Sequence, residues 1–207
     1  MQRWLLPLGA LLALAGYWGP WVDHRVAALV ITGLDLGEYV KFLTPVRIGE
    51  IGLWREGFYW PLIAVSLALS LWGFRPALRY PWPVRVGLLG VAAIAALNLL
   101  PPAWTPALLV TPEFRWQTAG MLICLVAAAC SPLLALLPRR AVQILTLVLC
   151  GLGGGWPVLN FLRVQEPIAS LYNTTLQLGW GPYALLGGLL VMAAATLWAA
   201  AEPRHAR

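Results

Sequence analysis

Leu133-Leu134-Ala135-Leu136-Leu137-Pro138-Arg139-Arg140-Ala141-Val142-Gln143-Ile144-Leu145 joins two long apolar runs through a turn whose only charges are two adjacent arginines. So short a turn between runs of this kind belongs at a membrane surface, and its arginines mark that surface as cytoplasmic. The same alternation extends both ways along the chain. Apolar stretches at 4–22, 57–74, 84–100, 116–137, 141–161 and 181–201 approach the about 20 residues, with roughly 17 tolerated, that a helix needs to cross the hydrocarbon core. The expectation is an all-α polytopic membrane protein: one transmembrane domain over 1–207, six spanning helices, both termini cytoplasmic, and a long outer loop at 23–56. The first stretch, behind Met1-Gln2-Arg3, reads as a signal-anchor that is retained as the first span.

The charges segregate along this plan. Arg3, Arg75, Arg79, Arg85, Arg139, Arg140, Arg204 and Arg207 fall on the inner side, while Arg25, Lys41, Arg47, Arg55, Arg115 and Arg163 fall outside, most of them in one long loop, where basic residues weigh less in setting orientation. Of eight acidic residues, only Glu202 joins the inner set; Asp23, Asp35, Glu38, Glu50, Glu56, Glu113 and Glu166 all fall outside. The chain is 60% hydrophobic and 11% charged, against about 25% charged in ordinary soluble domains. Its net charge of +6 comes without a lysine run, Lys41 being the only lysine. Anionic lipid headgroups are therefore the expected counter-charge, and nucleic acid is not an expected partner. The preference for Arg over Lys and the wealth of Ala, Leu, Gly and Pro read as a GC-rich bacterial gene, placing the protein in a bacterial inner membrane. Asn173-Thr174-Thr175 is then not a glycosylation site.

The tryptophans form two belts at the expected interfaces. Trp18, Trp21, Trp60, Trp104, Trp116 and Trp180 are read as outer lipid-interface anchors, with Trp4, Trp72, Trp82 and Trp198 on the inner side.

The outer segments carry the chemical variety. In Gly33-Leu34-Asp35-Leu36-Gly37-Glu38-Tyr39-Val40-Lys41-Phe42-Leu43-Thr44-Pro45, Asp35 is expected to cap a short helix with Glu38 as the reciprocal capping-box residue. Leu36, Tyr39, Val40 and Leu43 form its apolar stripe, Lys41 lies off it, and Pro45 ends it. Thr105-Pro106 and Glu166-Pro167 are expected to start similar short helices, the three making a structured canopy. Asp23-His24 beside Arg25 offers a carboxylate, an imidazole and a guanidinium, but three consecutive residues converge only if the backbone bends. A catalytic reading would need Glu38, Glu50 or Glu56 to join them.

Inside the spans, no ionisable Asp, Glu, Lys, Arg or His lies centrally, which speaks against proton relays, ion-coupled pumps and intramembrane haem ligation. Asn98 and Asn160 need hydrogen-bond partners in a dry setting. Gly151 to Gly155 ahead of Pro157 weakens a helix, and Gly151 and Gly155 have the spacing of a close helix–helix contact. Cys124, Cys130 and Cys150 read as packing residues; no metal or other cofactor is expected.

In size, span number and the placing of structured outer segments, the chain resembles the membrane-embedded substrate-binding components of energy-coupling-factor vitamin transporters, a likeness of size and topology that implies outer loops closing over a ligand. Two readings follow. The first is a non-catalytic subunit of a larger membrane complex, meeting lipids and other membrane-protein subunits through helix faces and outer loops. The alternative is a solute-binding or transport component with an outward-facing pocket for a small molecule. The candidate surface for either is Asp23, His24, Asp35, Glu38, Tyr39, Lys41, Asn98, Gly151, Gly155 and Asn160.

Overall fold

A computed structural model describes residues 2–24, 29–101, 104–173 and 175–201. The protein is mostly helical, as its periodicity predicts. Six longer helices are α1 (Leu5–Trp18), α4 (Trp60–Trp72), α5 (Trp82–Leu97), α7 (Arg115–Ala129), α9 (Arg139–Tyr172) and α10 (Gly181–Ala201). Short helices α2 (Gly33–Tyr39), α3 (Thr44–Arg47), α6 (Pro106–Leu109) and α8 (Ser131–Leu134) fill the connections. Two of the helices, α9 and α10, are by length and composition long and apolar enough to cross a membrane.

The centre of the bundle is α4. It packs on α9, α5, α7 and α1, while α10 bridges α1 and α9. Its residues Leu62, Ala64, Val65, Ser66, Ala68 and Ser70 are fully buried. Several polar groups in this core are paired locally or across helices: Ser70 Oγ donates to the Ser66 carbonyl, Ser131 Oγ to the Ser70 carbonyl, and Trp72 Nε1 to Thr146 Oγ1 at 2.9 Å, whereas the Ser66 and Tyr17 hydroxyls are buried without a hydrogen-bond partner. Buried polar atoms left unpaired would each cost about 1–3 kcal/mol.

Glycines set the closest approach, between α1 and α10. A Cβ on Gly16 would overlap the backbone of Leu185 and Gly181, and one on Gly9 would meet the Gly188 carbonyl at 2.7 Å. Gly9 and Gly16 lie two turns apart on one face of α1, matched by Gly181 and Gly188 on α10.

Several expectations are corrected. Helix α1 ends at Trp18, not Val22, because Pro20 lacks an N–H and disfavours helix at Gly19 before it. Residues 20–24 instead form strand β1 (Pro20–His24), paired antiparallel with β2 (Leu29–Thr32), and Val22 bridges Leu178. Trp21 is therefore no lipid anchor. It is 0% exposed, stacks edge-on against Phe161 at 5.3 Å and donates from Nε1 to the Gly16 carbonyl at 3.2 Å.

The glycine-rich segment is no break either. Helix α9 runs unbroken through Gly151–Gly155, Pro157 and Pro167, so Glu166-Pro167 starts no new helix. Each interior glycine costs about 1 kcal/mol of helix propensity and each proline about 3, but packing between α4 and α10 offsets this. The glycines that make those contacts are Gly153, whose Cβ would meet Ala64 at 2.8 Å, and Gly154, facing Leu186 at 3.0 Å. Gly151 and Gly155 meet nothing within 4 Å, since two residues turn the helix by about 200° away from the packed face.

Candidate functional site: an acidic cleft at the hairpin end

One end of the bundle carries the β-hairpin, α2, α3 and α6; the other carries the turns with Arg75, Arg79, Arg139 and Arg140. At the hairpin end, α2 lies across the bundle. Its cap is Thr32 rather than Asp35: the Thr32 hydroxyl accepts from the Asp35 N–H at 3.2 Å, and the Asp35 carboxylate accepts from Thr32 N at 3.0 Å and Oγ1 at 2.7 Å. The capping box is thus one turn earlier than its sequence reading, because the strand delivers Thr32 in extended conformation directly into the helix. The stripe Leu36, Val40 and Leu43 is buried as its spacing predicts. Tyr39, half-buried, meets the Tyr172 hydroxyl at 3.3 Å; burial and this hydrogen bond push its phenol well above the usual range. Past a 3-10 turn at Val40–Phe42, Pro45 belongs to the first turn of α3 instead of ending α2.

The shifted cap releases Glu38 from any capping duty. Its Oε1 accepts from the Tyr59 hydroxyl at 2.9 Å, and its Oε2 accepts from Lys41 Nζ at 2.7 Å. Partial burial works to raise the Glu38 pKa, but hydrogen bonds from Lys41 and Tyr59 and the charges of Lys41 and Arg55 outweigh it, holding the carboxyl below its ordinary value. Lys41 also lies 3.5 Å from Glu113, which pairs with Arg55 at 3.3 Å. Arg55 in turn sits 3.7 Å from Glu56 and over the Phe114 ring. Three carboxylates against two cations leave this network with one net negative charge.

Beneath it opens a cavity of about 690 Å³, lined by Asp35, Glu38 and Tyr39 of α2, by Tyr59, by Ile94, Leu97 and Asn98 at the end of α5, and by Gln117 of α7. Asn98 spends its amide N–H on the Ile94 carbonyl at 2.8 Å. Gln117 is 3% exposed, and its Oε1 has no hydrogen-bond partner. The walls are apolar and aromatic and the polar groups are chiefly acceptors. Such a cavity suits a small organic molecule that donates hydrogen bonds.

Tyr59 and Gln117 also close a second space, of about 700 Å³. Helices α7 and α9 both pack on α4 but scarcely touch each other, and the groove between them runs from Glu56 and Trp116 down to Leu71, Leu137 and Leu145. A third space, of about 900 Å³, lies between α1 and α5 toward the arginine end.

The remaining candidate residues are not drawn into the cleft. Asn160 is buried and donates from Nδ2 to the Trp54 carbonyl at 2.8 Å, pinning the segment before α4 to α9. Asp23 is a strand residue whose N–H bonds the Gln177 carbonyl at 3.1 Å. His24 ends β1, with its side chain outside the described residues, as is Arg25. Trp104, Trp116 and Trp180 are more than half exposed, Trp18 is 38% exposed and Trp60 is half-buried. Tyr59, Arg55, Glu113 and Gln117 were not among the sequence candidates. The available signal was a lone Gln just inside an apolar run and an Arg-Glu pair beside a tryptophan. No family model, curated protein or solved structure matches the chain.

Proposed function

We propose that the chain is a six-span integral protein of a bacterial inner membrane and acts, without catalysis, as a solute-binding component with an outward-facing cleft. Helices α1, α4, α5, α7, α9 and α10 are the spans, and the arginine end faces the cytoplasm. The circumference supports this reading: Leu11, Ile123, Val126, Ile144, Val148, Leu159 and Leu190 are 52–69% exposed, an apolar surface that water would not solvate. The shorter helices α4 and α7 are extended by the 3-10 turn Arg55–Tyr59 and by α8.

The observation that carries the binding reading is the cleft in which Glu38, Tyr59 and Gln117 meet beneath α2. Mass spectrometry of the gently solubilised full chain should find a retained small molecule, lost in Glu38→Gln and Gln117→Leu. Membership of a larger complex remains the second reading, favoured by the apolar groove between α7 and α9. A crosslinker on a cysteine at Ile123 or Val148 should then capture another polypeptide. Recovery as a lone monomer with no solute bound would defeat both readings.

A further inference from the structure

Arg3 and Arg79 lie far apart in the chain but are held together at the arginine end. Tyr80, the residue after Arg79, donates from its hydroxyl to the Arg3 carbonyl, and its ring lies against Trp4 with centroids 5.9 Å apart. Arg79 itself takes a left-handed backbone conformation, with φ 46°, in the turn between α4 and α5. That conformation suits glycine or asparagine and disfavours longer side chains, so the turn alone does not call for arginine. Both arginines line a cavity of about 250 Å³, walled by Leu6, Trp72, Leu78 and Trp198.

This cavity adjoins the space between α1 and α5. Both helices pack on α4 but scarcely touch each other. The groove between them, of about 900 Å³, is lined by Leu5, Leu8 and Leu11 of α1 and by Val84, Gly87 and Leu88 of α5. It shares Leu5 and Trp198 with the arginine cavity, and Leu11 and Val91 with a further space of about 260 Å³ that continues to Leu14 and Trp18. From Leu5 to Leu14 it follows about 14 Å of helix, close to one leaflet of a hydrocarbon core about 30 Å thick. The Arg3 Cζ stands 5.5 Å from the ring centre of Trp4, which also lines the groove. Among the described residues, no acidic side chain lines any of the three spaces.

We infer that this flank holds one anionic phospholipid of the cytoplasmic leaflet, its phosphate between Arg3 and Arg79 and an acyl chain along the α1–α5 groove. Phosphate oxygens accept from guanidinium N–H groups, two at a time where the geometry allows. The negative charge of that leaflet draws basic side chains to its surface. A free anion has no use for the groove, and a lipid without net charge gains less from the arginines; one molecule with both parts fills the adjoining spaces together. The site rests on the bilayer placement proposed above and is independent of the solute cleft at the other end.

The test incorporates the full chain into nanodiscs of equal parts phosphatidylcholine and phosphatidylglycerol, releases it into mild detergent and reads retained lipid by native mass spectrometry. One phosphatidylglycerol should stay on each chain, favoured about tenfold over phosphatidylcholine. Arg79→Gly removes the charge while suiting the left-handed backbone, so it should melt no lower than wild type and lose that preference. Gly87→Leu fills the groove from a position whose Cβ would meet nothing within 4 Å, so it should retain neither lipid. Gly90→Leu, equally open but outside the lining, and the exposed Arg140→Gln should behave as wild type. Glu38→Gln should release any solute of the outer cleft and leave the phospholipid in place. A chain that does not enter nanodiscs defeats the bilayer placement and the lipid site with it. A chain that enters but shows no preference for phosphatidylglycerol, keeps the preference in Arg79→Gly, or retains the lipid undiminished in Gly87→Leu overturns the lipid site alone.

Discussion

The Tyr59 hydroxyl donates to Glu38 Oε1 at 2.9 Å, tying the helix that lies across the bundle to the entry of its central helix. This bond joins the surface network of Lys41, Arg55 and Glu113 to the cavity below. Hydrogen bonds to a charged group are worth about 1.5–3 kcal/mol. Tyr59→Phe should therefore lower unfolding free energy by about 2 kcal/mol and weaken retention of any bound solute. Tyr39→Phe, whose bond joins two neutral phenols, should cost less. Denaturation of both variants side by side checks the order.

Acid should loosen the same tie. The folded Glu38 carboxyl titrates below its ordinary value of 4.5, so the unfolded chain takes up a proton first as pH falls. The contribution of Glu38 to stability is therefore complete above the ordinary value and is lost as pH drops through the folded one. Wild type should lose melting temperature below about pH 4.5, while above it the full Glu38 contribution is present and does not change with pH. Glu38→Gln should show a smaller acid-induced drop, and an equal drop in both would contradict the assignment.

The position of the helix cap can be separated from the charge cluster by substitution. Thr32→Ala removes the hydroxyl that accepts from the Asp35 N–H and should destabilise the protein by about 1 kcal/mol. It should leave the cluster intact, so its acid profile should parallel wild type. An acid profile flattened in Thr32→Ala would mean that the cap and the charge cluster are one unit.

Two sets of glycines should respond in opposite directions. Gly16→Leu drives a side chain into the backbone of α10 and should destabilise by more than about 3 kcal/mol, or prevent folding. Gly151→Ala and Gly155→Ala point into open space and improve helix propensity, each adding about 0.5–1 kcal/mol. Thermal melts of the three variants decide this. Destabilisation by either alanine would mean that Gly151 or Gly155 is a contact surface after all.

Much of the local plan is visible in the chain itself. Thr105-Pro106 opens a helical turn with the Thr105 hydroxyl accepting from the Leu108 N–H, and the sixth apolar stretch coincides with α10. Leu36, Val40 and Leu43 are buried because helical spacing puts them on one side. The cleft is less legible. Asp35, Glu38, Tyr39 and Asn98 could be nominated from their neighbourhoods, but Tyr59 and Gln117 reach them from distant points of the chain. Asn160 looked equally promising and turned out to hold a backbone carbonyl.

Composition and periodicity determined by themselves that this chain is helical, and the order of its charges kept seven of its eight acidic residues apart from the arginine clusters at 75–85 and 139–140. Both follow from interactions within a few residues, or from the bare order of charged groups. Which face of each helix meets which neighbour was decided only in the tertiary structure. Gly153 packs and Gly151 does not, Trp21 is enclosed and Trp116 is not, and Glu38 reaches Tyr59 instead of capping its own helix. Apolar sequence on every side of a helix carries little record of its partner, so the choice falls to the fit of side-chain volumes and to the polar atoms that must find one another.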